Sequence, residues 1–200
     1  MDGTPIIHVY DGRQNVGPNL PDGLSKWKPC WREFGQNGFQ TSTRVLVVFE
    51  TRLCVIVESM KTLYIVRHCK AEGQEANAPL TPEGVSQSNG LADLLANADI
   101  DRIISSPYTR AAQSIRPLSQ RLNLAVELDS RLVERLLCSD SRPDWQEHLF
   151  ASFVDLDLRL EGGESSREAM QRAVAVITDV QRHGALNTLL VTHGNMMALR

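Results

Sequence analysis

Four basic side chains stand at positions from which they could share one ligand. Arg67 and His68 directly follow the apolar run Leu63-Tyr-Ile-Val66, Arg110 follows Ser105-Ser-Pro107, and His193 lies just beyond Leu189-Leu-Val191. If the apolar runs are parallel strands, the loops at their carboxyl ends converge on one crevice, which is where open α/β sheets collect ligands. Two arginines and two histidines gathered there would repel one another unless an anion lay between them. A phosphoryl group suits them, because guanidinium groups fork onto its oxygens and helix N-termini add backbone donors. A neutral imidazole is also a competent nucleophile toward phosphorus, and a covalent intermediate divides one difficult displacement into two easier ones. Charge stabilisation and in-line positioning would then carry most of the remaining catalysis.

The elements needed to position these residues alternate from Met60 onward. Leu63 to Val66 reads as a short strand, apolar throughout and suited to burial on both faces. Thr81-Pro-Glu83 reads as a helix start, with Thr capping free amides, Pro at the first helical position and Glu against the dipole. That helix should carry Val85, Leu91, Leu94 and Leu95 toward the core. Ile103-Ile104 predicts a second strand, Ser105-Ser-Pro107 a helix running to about Leu122, and Ala125 to Leu128 a third strand. Ser165-Ser-Arg-Glu168 has the form of a capping box, and Met170, Val174, Ile177 and Gln181 trace one helical face, apolar until its last turn and ordinary core packing. His183-Gly184 closes that helix, and Leu189 to Val191 is a final buried strand. Alternation of this kind predicts an α/β fold with a mostly parallel sheet.

The first part of the chain reads differently. Met1 to about Gln40 is rich in Gly, Pro, Asn and Asp, and its aromatics follow neither a period of two nor one of 3.6, so loop or disorder is expected. Val45 to Phe49 and Cys54 to Val57 could pair as a hairpin whose apolar surface would have to dock or aggregate. Two parts are expected: residues 1–59, an accessory or artefactual extension, largely irregular with a possible hairpin, and residues 60–200, the domain that carries the chemistry.

With these blocks in view, Leu63-Tyr-Ile-Val-Arg-His68 resembles the signature of the histidine phosphatase superfamily, also called phosphoglycerate mutase-like. Leu80-Thr-Pro-Glu-Gly84, Ser105-Ser-Pro-Tyr-Thr-Arg-Ala-Ala-Gln113, Arg131-Leu-Val-Glu134, Gly162-Gly-Glu-Ser165 and Val191-Thr-His-Gly194 resemble family motifs in the same order, covering essentially Met60 to Arg200. The resemblance implies a three-layer α/β/α fold with a mostly parallel central sheet. It implies that His68 is the nucleophile that becomes phosphohistidine, that Arg67, Arg110 and His193 hold the phosphoryl oxygens, and that Glu134 is the proton donor. Glu134 would protonate the departing alkoxide and then, as carboxylate, take a proton from the attacking water, a double role that favours a raised pKa. The resemblance implies no metal and no cofactor.

Two features depart from the family pattern. Cys69-Lys70 stands where relatives usually have Gly followed by Glu or Gln, so Cys69 adds a Cβ beside the nucleophile and Lys70 adds a cation that could meet an anionic substrate. The chain also stops at Arg200, where relatives usually continue, so a domain incomplete at its C-terminus and of marginal stability is expected. Other residues have plain readings. His8, His148 and His183 are expected to be polar residues with satisfied hydrogen bonds. Arg110 could be a helix-surface residue, but a cation in a first helical turn benefits from a bound anion. Glu134 is either the acid or one member of a solvated charge cluster with Arg131 and Arg135. No C-x5-R loop follows Cys69, so it is not read as a nucleophile; Trp145 and Phe150 are pocket walls or core.

Composition limits the alternatives. A formal net charge of −3 offers no broad basic surface, so neither nucleic acid nor membrane is expected as a partner, and the partner expected is a small phosphorylated substrate. Four cysteines without a C-x-x-C pair suggest neither a zinc site nor a disulfide framework, which with the absence of a signal-like N-terminus predicts a soluble, cytoplasmic protein. The leading reading is hydrolysis of a phosphomonoester. A mutase that returns the phosphoryl group to a sugar acid and a non-catalytic or truncated inactive phosphoryl-binding relative stand as alternatives; substrate and oligomeric state are not read from the sequence.

Overall fold

The computed structural model describes residues 61–139 and 143–198 in full, and residues 7–11, 43–48 and 54–59 as backbone. Its central sheet comprises β1 (Ile7–Asp11), β4 (Thr62–Arg67), β7 (Asn187–Thr192), β5 (Arg102–Ser105) and β6 (Val126–Leu128), in that spatial order. All neighbours are parallel except β1, which runs antiparallel to β4. The remaining strands, β2 (Thr43–Val48) and β3 (Cys54–Ser59), form a separate antiparallel pair, the hairpin that the sequence suggests. The readings of residues 12–42, of Phe49 and of Met60 lie outside the described residues.

Alternation along the strands sorts side chains between two helical layers. Val66, Ile103, Leu189 and Val191 face α1 (Pro82–Leu95) and α2 (Thr109–Leu122), where Leu91, Ala92, Leu95, Ala111, Ile115 and Leu118 close one core. Ile104 and Leu190 face the other way, onto Val176 and Val180 of α4 (Ser166–Arg182). The result is the expected three-layer α/β/α arrangement. Between β6 and α4 lie a 3-10 turn, Ser130–Leu132, and α3 (Trp145–Val154), while α5 (Gly194–Ala198) follows β7.

Helix starts follow the local chemistry. Thr81 caps α1 by accepting from the Gly84 amide at 3.0 Å, with Pro82 at the first position. Ser165 and Glu168 form a complete capping box on α4, and His183 is its C-cap.

Several expectations need correction. Ile7–Asp11 is a strand rather than loop or disorder: β4 would otherwise present an unpaired edge, and this short run supplies its partner. The helix after Ser105-Ser-Pro107 starts at Thr109, with Tyr108 rather than a serine at its N-cap. Val85, expected in the core, is 50% exposed, because α1 seats Gly84, Ser88, Leu91, Ala92 and Leu95 inward instead. On α4 the buried face runs through Ala169, Val176 and Val180, which leaves Val174, expected on the inward stripe, 51% exposed. Trp145 and Phe150 both keep substantial exposure, so neither is core.

Candidate active site

The strand ends do converge. β4 and β7 are parallel neighbours in register Arg67↔Thr192, so His68 and His193 leave adjacent strands at the same level. The His68 amide donates to the Thr192 carbonyl at 3.0 Å and the imidazole rings lie 5.0 Å apart, edge to face. β5 adds Ser106, whose amide donates to Val191 O at 2.9 Å, and α2 then brings Arg110 inward in its first turn, fully buried.

His68 has a defined tautomer. Its Nδ1 lies 2.7 Å from the Cys69 carbonyl, which can only accept, so Nδ1 carries the proton. Arg110 Nε donates to Nε2 at 3.2 Å, which requires a lone pair there. Burial pushes the His68 pKa down to about 4, and the nearby Arg110 and Arg67 charges act in the same direction against the Cys69 hydrogen bond. The imidazole is therefore neutral at pH 7, with its lone pair on Nε2. His193 is buried more completely, and desolvation with the charges of His68, Arg110, Arg172 and Arg67 pushes it down to about 2. Its Nε2 meets Ser106 Oγ at 2.8 Å.

Arg110 spends Nη1 on the carbonyls of Gln74, at 3.1 Å, and Glu75, at 2.8 Å, and its guanidinium carbon lies 4.8 Å from the Tyr108 ring centre. Three buried nitrogens in this cluster have no partner among the described residues: Arg67 Nε, Arg110 Nη2 and His193 Nδ1. Gly194 lies close beside them: a Cβ there would stand 3.2 Å from Arg67 Nε, so the guanidinium would have to shift by a few tenths of an ångström. A buried donor left unmade costs roughly 1–3 kcal/mol, and a tetrahedral oxyanion has the acceptors that these nitrogens call for.

Glu134 completes the cluster. Oε1 accepts from its neighbour's amide, Arg135 N, at 2.9 Å and Oε2 accepts from the Asn195 amide at 3.4 Å. Burial raises its pKa, opposed by those amides and by the Arg110 charge. The segment bearing it is gripped from three sides. Thr192 Oγ1 donates to Leu132 O at 2.9 Å, and Arg172 Nη1 donates to Arg131 O at 2.6 Å and Val133 O at 2.8 Å. On the far side, the Arg135 guanidinium is buried against Ser152 of α3 and Ser166 of α4.

Over these strands and loops, residues 63–199 match the sequence profile of the histidine phosphatase superfamily, branch 1. The chain belongs to that family. With the family comes the enzyme class, a phosphatase. A Hydrogenobacter thermophilus protein provisionally named phosphoserine phosphatase 2 is 28% identical over 153 residues, 69% of this chain and 75% of that protein. A Proteus mirabilis protein provisionally named phosphoglycerate mutase is 28% identical over 155 residues, 68% of this chain and 70% of its own length. In fold the chain resembles the mycobacterial glucosyl-3-phosphoglycerate phosphatase solved with inorganic phosphate, with TM-score 0.60 and 23% identity over 68% of this chain and 74% of that one.

In this histidine phosphatase, Arg67, His68, Arg110, Glu134 and His193 share one cluster, as the sequence predicts, whereas Lys70 stays outside it. Lys70 Nζ pairs with Glu83 Oε2 at the surface. Cys69 is fully buried: its amide donates to Ser114 Oγ at 2.7 Å, and its thiol is engaged with the same serine while burial raises its pKa. The Thr81-Pro-Glu-Gly84 motif holds the loop after His68, because Thr81 N donates to Lys70 O at 3.1 Å and a Cβ on Gly84 would stand 2.0 Å from that oxygen. His148 bonds Asp144 at 3.0 Å and His183 accepts from the Ala185 amide at 3.0 Å, both satisfied as expected.

Sequence reasoning missed Ser106, Tyr108, Ser114 and Arg172. Arg172 left a usable signal, since it falls on the same helical face as Ala169, Val176 and Val180, and a cation on a buried face needs acceptors. Ser106 left none, because a serine before proline reads first as a helix or turn opener. Among the described residues no three His, Cys, Asp or Glu side chains are placed to share a metal, and no helix is long and apolar enough to cross a membrane.

Proposed function

We propose that the chain hydrolyses a small phosphomonoester, without a metal, through a phosphohistidine at His68 Nε2. The observation that carries this reading is the set of three buried, unpartnered nitrogens, on Arg67, Arg110 and His193, gathered beside a neutral imidazole whose Nε2 carries the lone pair that Arg110 Nε meets. The phosphoryl oxygens take up those nitrogens. Nε2 attacks phosphorus in line with the leaving oxygen, and the Arg110 Nε–H that rested on Nε2 turns to an oxygen of the transferring group. As the P–O bond breaks, Glu134 protonates the departing alkoxide, which its raised pKa favours. The resulting carboxylate takes a proton from water, water attacks the phosphohistidine, and the P–N bond breaks to return the electron pair to Nε2.

Phosphate release from an aryl phosphate in excess EDTA, compared with His68→Ala, tests the reading. Activity that survives EDTA and vanishes in His68→Ala, with acid-labile phosphate trapped on the wild-type chain, is the expected outcome. EDTA-sensitive turnover, or turnover retained by a folded His68→Ala, would overturn it. A well-folded wild-type chain that binds phosphate without turnover would favour a binding role instead. The likeness to a protein named as a mutase supports a second reading, transfer between the 3- and 2-positions of phosphoglycerate. Conversion of 3- to 2-phosphoglycerate faster than phosphate release would select it.

A further inference from the structure

Both histidines of the cluster are neutral, yet they have opposite tasks in the proposed reaction: His68 has to present a lone pair and His193 a proton. The Cys69 carbonyl settles the first. For the second, we propose that Ser106 is a positioning residue whose hydroxyl donates to His193 Nε2, holding His193 in the Nδ1–H tautomer so that Nδ1–H is the donor offered to a phosphoryl oxygen. The inference rests on the phosphatase reading for its purpose, but the tautomer stands on contacts within the free protein.

The argument is a count of donors and acceptors. Ser106 is fully out of contact with solvent, so its hydroxyl proton has no water to go to. Its oxygen already accepts from the Tyr108 amide at 3.3 Å, and that amide is fixed at the N-cap of α2. Among the described residues, the acceptor within reach of the hydroxyl proton is His193 Nε2, 2.8 Å away. If Nε2 carried the proton instead, Ser106 would receive two donors while its own proton found no acceptor. His193 Nδ1 would then be a buried lone pair facing no donor, in a cluster where Arg67 and Arg110 each already hold a buried N–H without an acceptor. With Ser106 donating, its hydroxyl proton has an acceptor, and Nδ1–H joins Arg67 Nε–H and Arg110 Nη2–H as a donor available to the anion. The backbone fixes this geometry from both sides: Ser106 N is bonded to Val191 O at 2.9 Å, two residues before His193, so serine and imidazole are held by the same pair of strands, β5 and β7.

Long-range nitrogen–proton NMR correlation on the 15N-labelled full chain without ligand reads the tautomer directly, with His193→Gln identifying the His193 signals by their loss. Near neutral pH the expected pattern has Nδ1 protonated and Nε2 bare. Ser106→Ala should move the population toward Nε2–H and weaken inorganic phosphate binding about tenfold or more, as expected when a hydrogen bond to a charged group is lost. Ser106→Thr should restore both. A wild-type His193 protonated at Nε2 would overturn the proposal, and so would a folded Ser106→Ala with unchanged tautomer and phosphate affinity. If Ser106→Ala does not fold, the wild-type tautomer and the threonine variant still decide. An Nδ1–H tautomer in a chain that neither binds phosphate nor turns over an aryl phosphate would instead defeat the phosphatase reading and leave the serine's hold on His193 standing.

Discussion

The proposed nucleophile, His68, and the proposed acid, Glu134, sit in the same desolvated cluster, and burial moves them in opposite directions. It lowers the His68 pKa to about 4 and raises that of Glu134. The form with neutral His68 and protonated Glu134 is thus favoured from both ends, and kcat/KM should follow a bell, rising as pH increases through about 4 and falling once Glu134 ionises. Glu134→Gln should lower kcat by roughly 10²–10⁴ for substrates with a poor leaving group and remove the alkaline limb. An aryl phosphate with an acidic leaving group should be much less affected, so comparing the two substrates in the variant checks the assigned role. Retention of the alkaline limb in Glu134→Gln would place the acid elsewhere. Arg110 makes a separate test, because Arg110→Lys keeps the charge but loses the Nε contact to His68 and the fork on Gln74 and Glu75. Phosphate affinity is expected to fall at least tenfold, measured by isothermal titration.

The elements hold these residues through contacts that cross between layers. Arg172 of α4 clamps the carbonyls of residues 131 and 133 and is itself pinned by Glu164, at 2.5 and 3.0 Å, so a helix on one face of the sheet fixes the segment that bears Glu134. Arg172→Gln should cost about 3 kcal/mol or more in denaturant unfolding, since Glu164 and two carbonyls lose their partner. It should also lower kcat more than it raises KM, because Glu134 acts at the transition state. This level of organisation is only partly legible in the sequence. Leu63–Val66, Ile103-Ile104 and Leu189–Val191 stand out because strands buried on both faces are apolar throughout. The cluster is legible because its histidines and arginines sit directly after those runs or in the next helical turn. β1 is not, since an edge strand is selected by the open side of β4 rather than by its own pattern, and Val174 could not be told from Val176 while the facing surface was unknown. The boundary expected from the sequence near residue 60 leads to a prediction at this scale too. A chain of residues 60–200 retains all the cluster residues and should keep phosphatase activity, while a lower melting temperature than that of residues 1–200 would report the loss of β1. Loss of activity in a folded 60–200 chain would show that the first 59 residues contribute to the site.

For the whole molecule, the same cluster links stability to acid and to anions. An unfolded chain binds protons on its histidines near the ordinary value of 6.5, whereas the folded chain resists protonating His68 until about 4 and His193 until about 2. Between 6.5 and 4 the unfolded state therefore binds more protons, and stability falls as pH falls, by up to about 1.4 kcal/mol per pH unit for each imidazole. Glu134 acts with the opposite sign: its raised pKa means that the folded state binds its proton first, so acidification returns part of the loss. Asp129 and Glu127, held low by Arg131 and Arg102, add their own losses only near and below the ordinary carboxylate range. The upper part of the window, from 6.5 toward 5, consequently separates the histidines from Asp129 and Glu127. Denaturant unfolding across that interval should show stability declining with acid, and His193→Gln should make the decline shallower, because one of the two imidazoles no longer contributes. Inorganic phosphate at about a hundred times its dissociation constant should add roughly 2.7 kcal/mol at neutral pH, its oxygens serving as acceptors for Arg67 Nε and Arg110 Nη2. If His193→Gln leaves the acid slope unchanged, the histidine is not the neutral, desolvated group that its surroundings require, and the anion site loses one of its three walls.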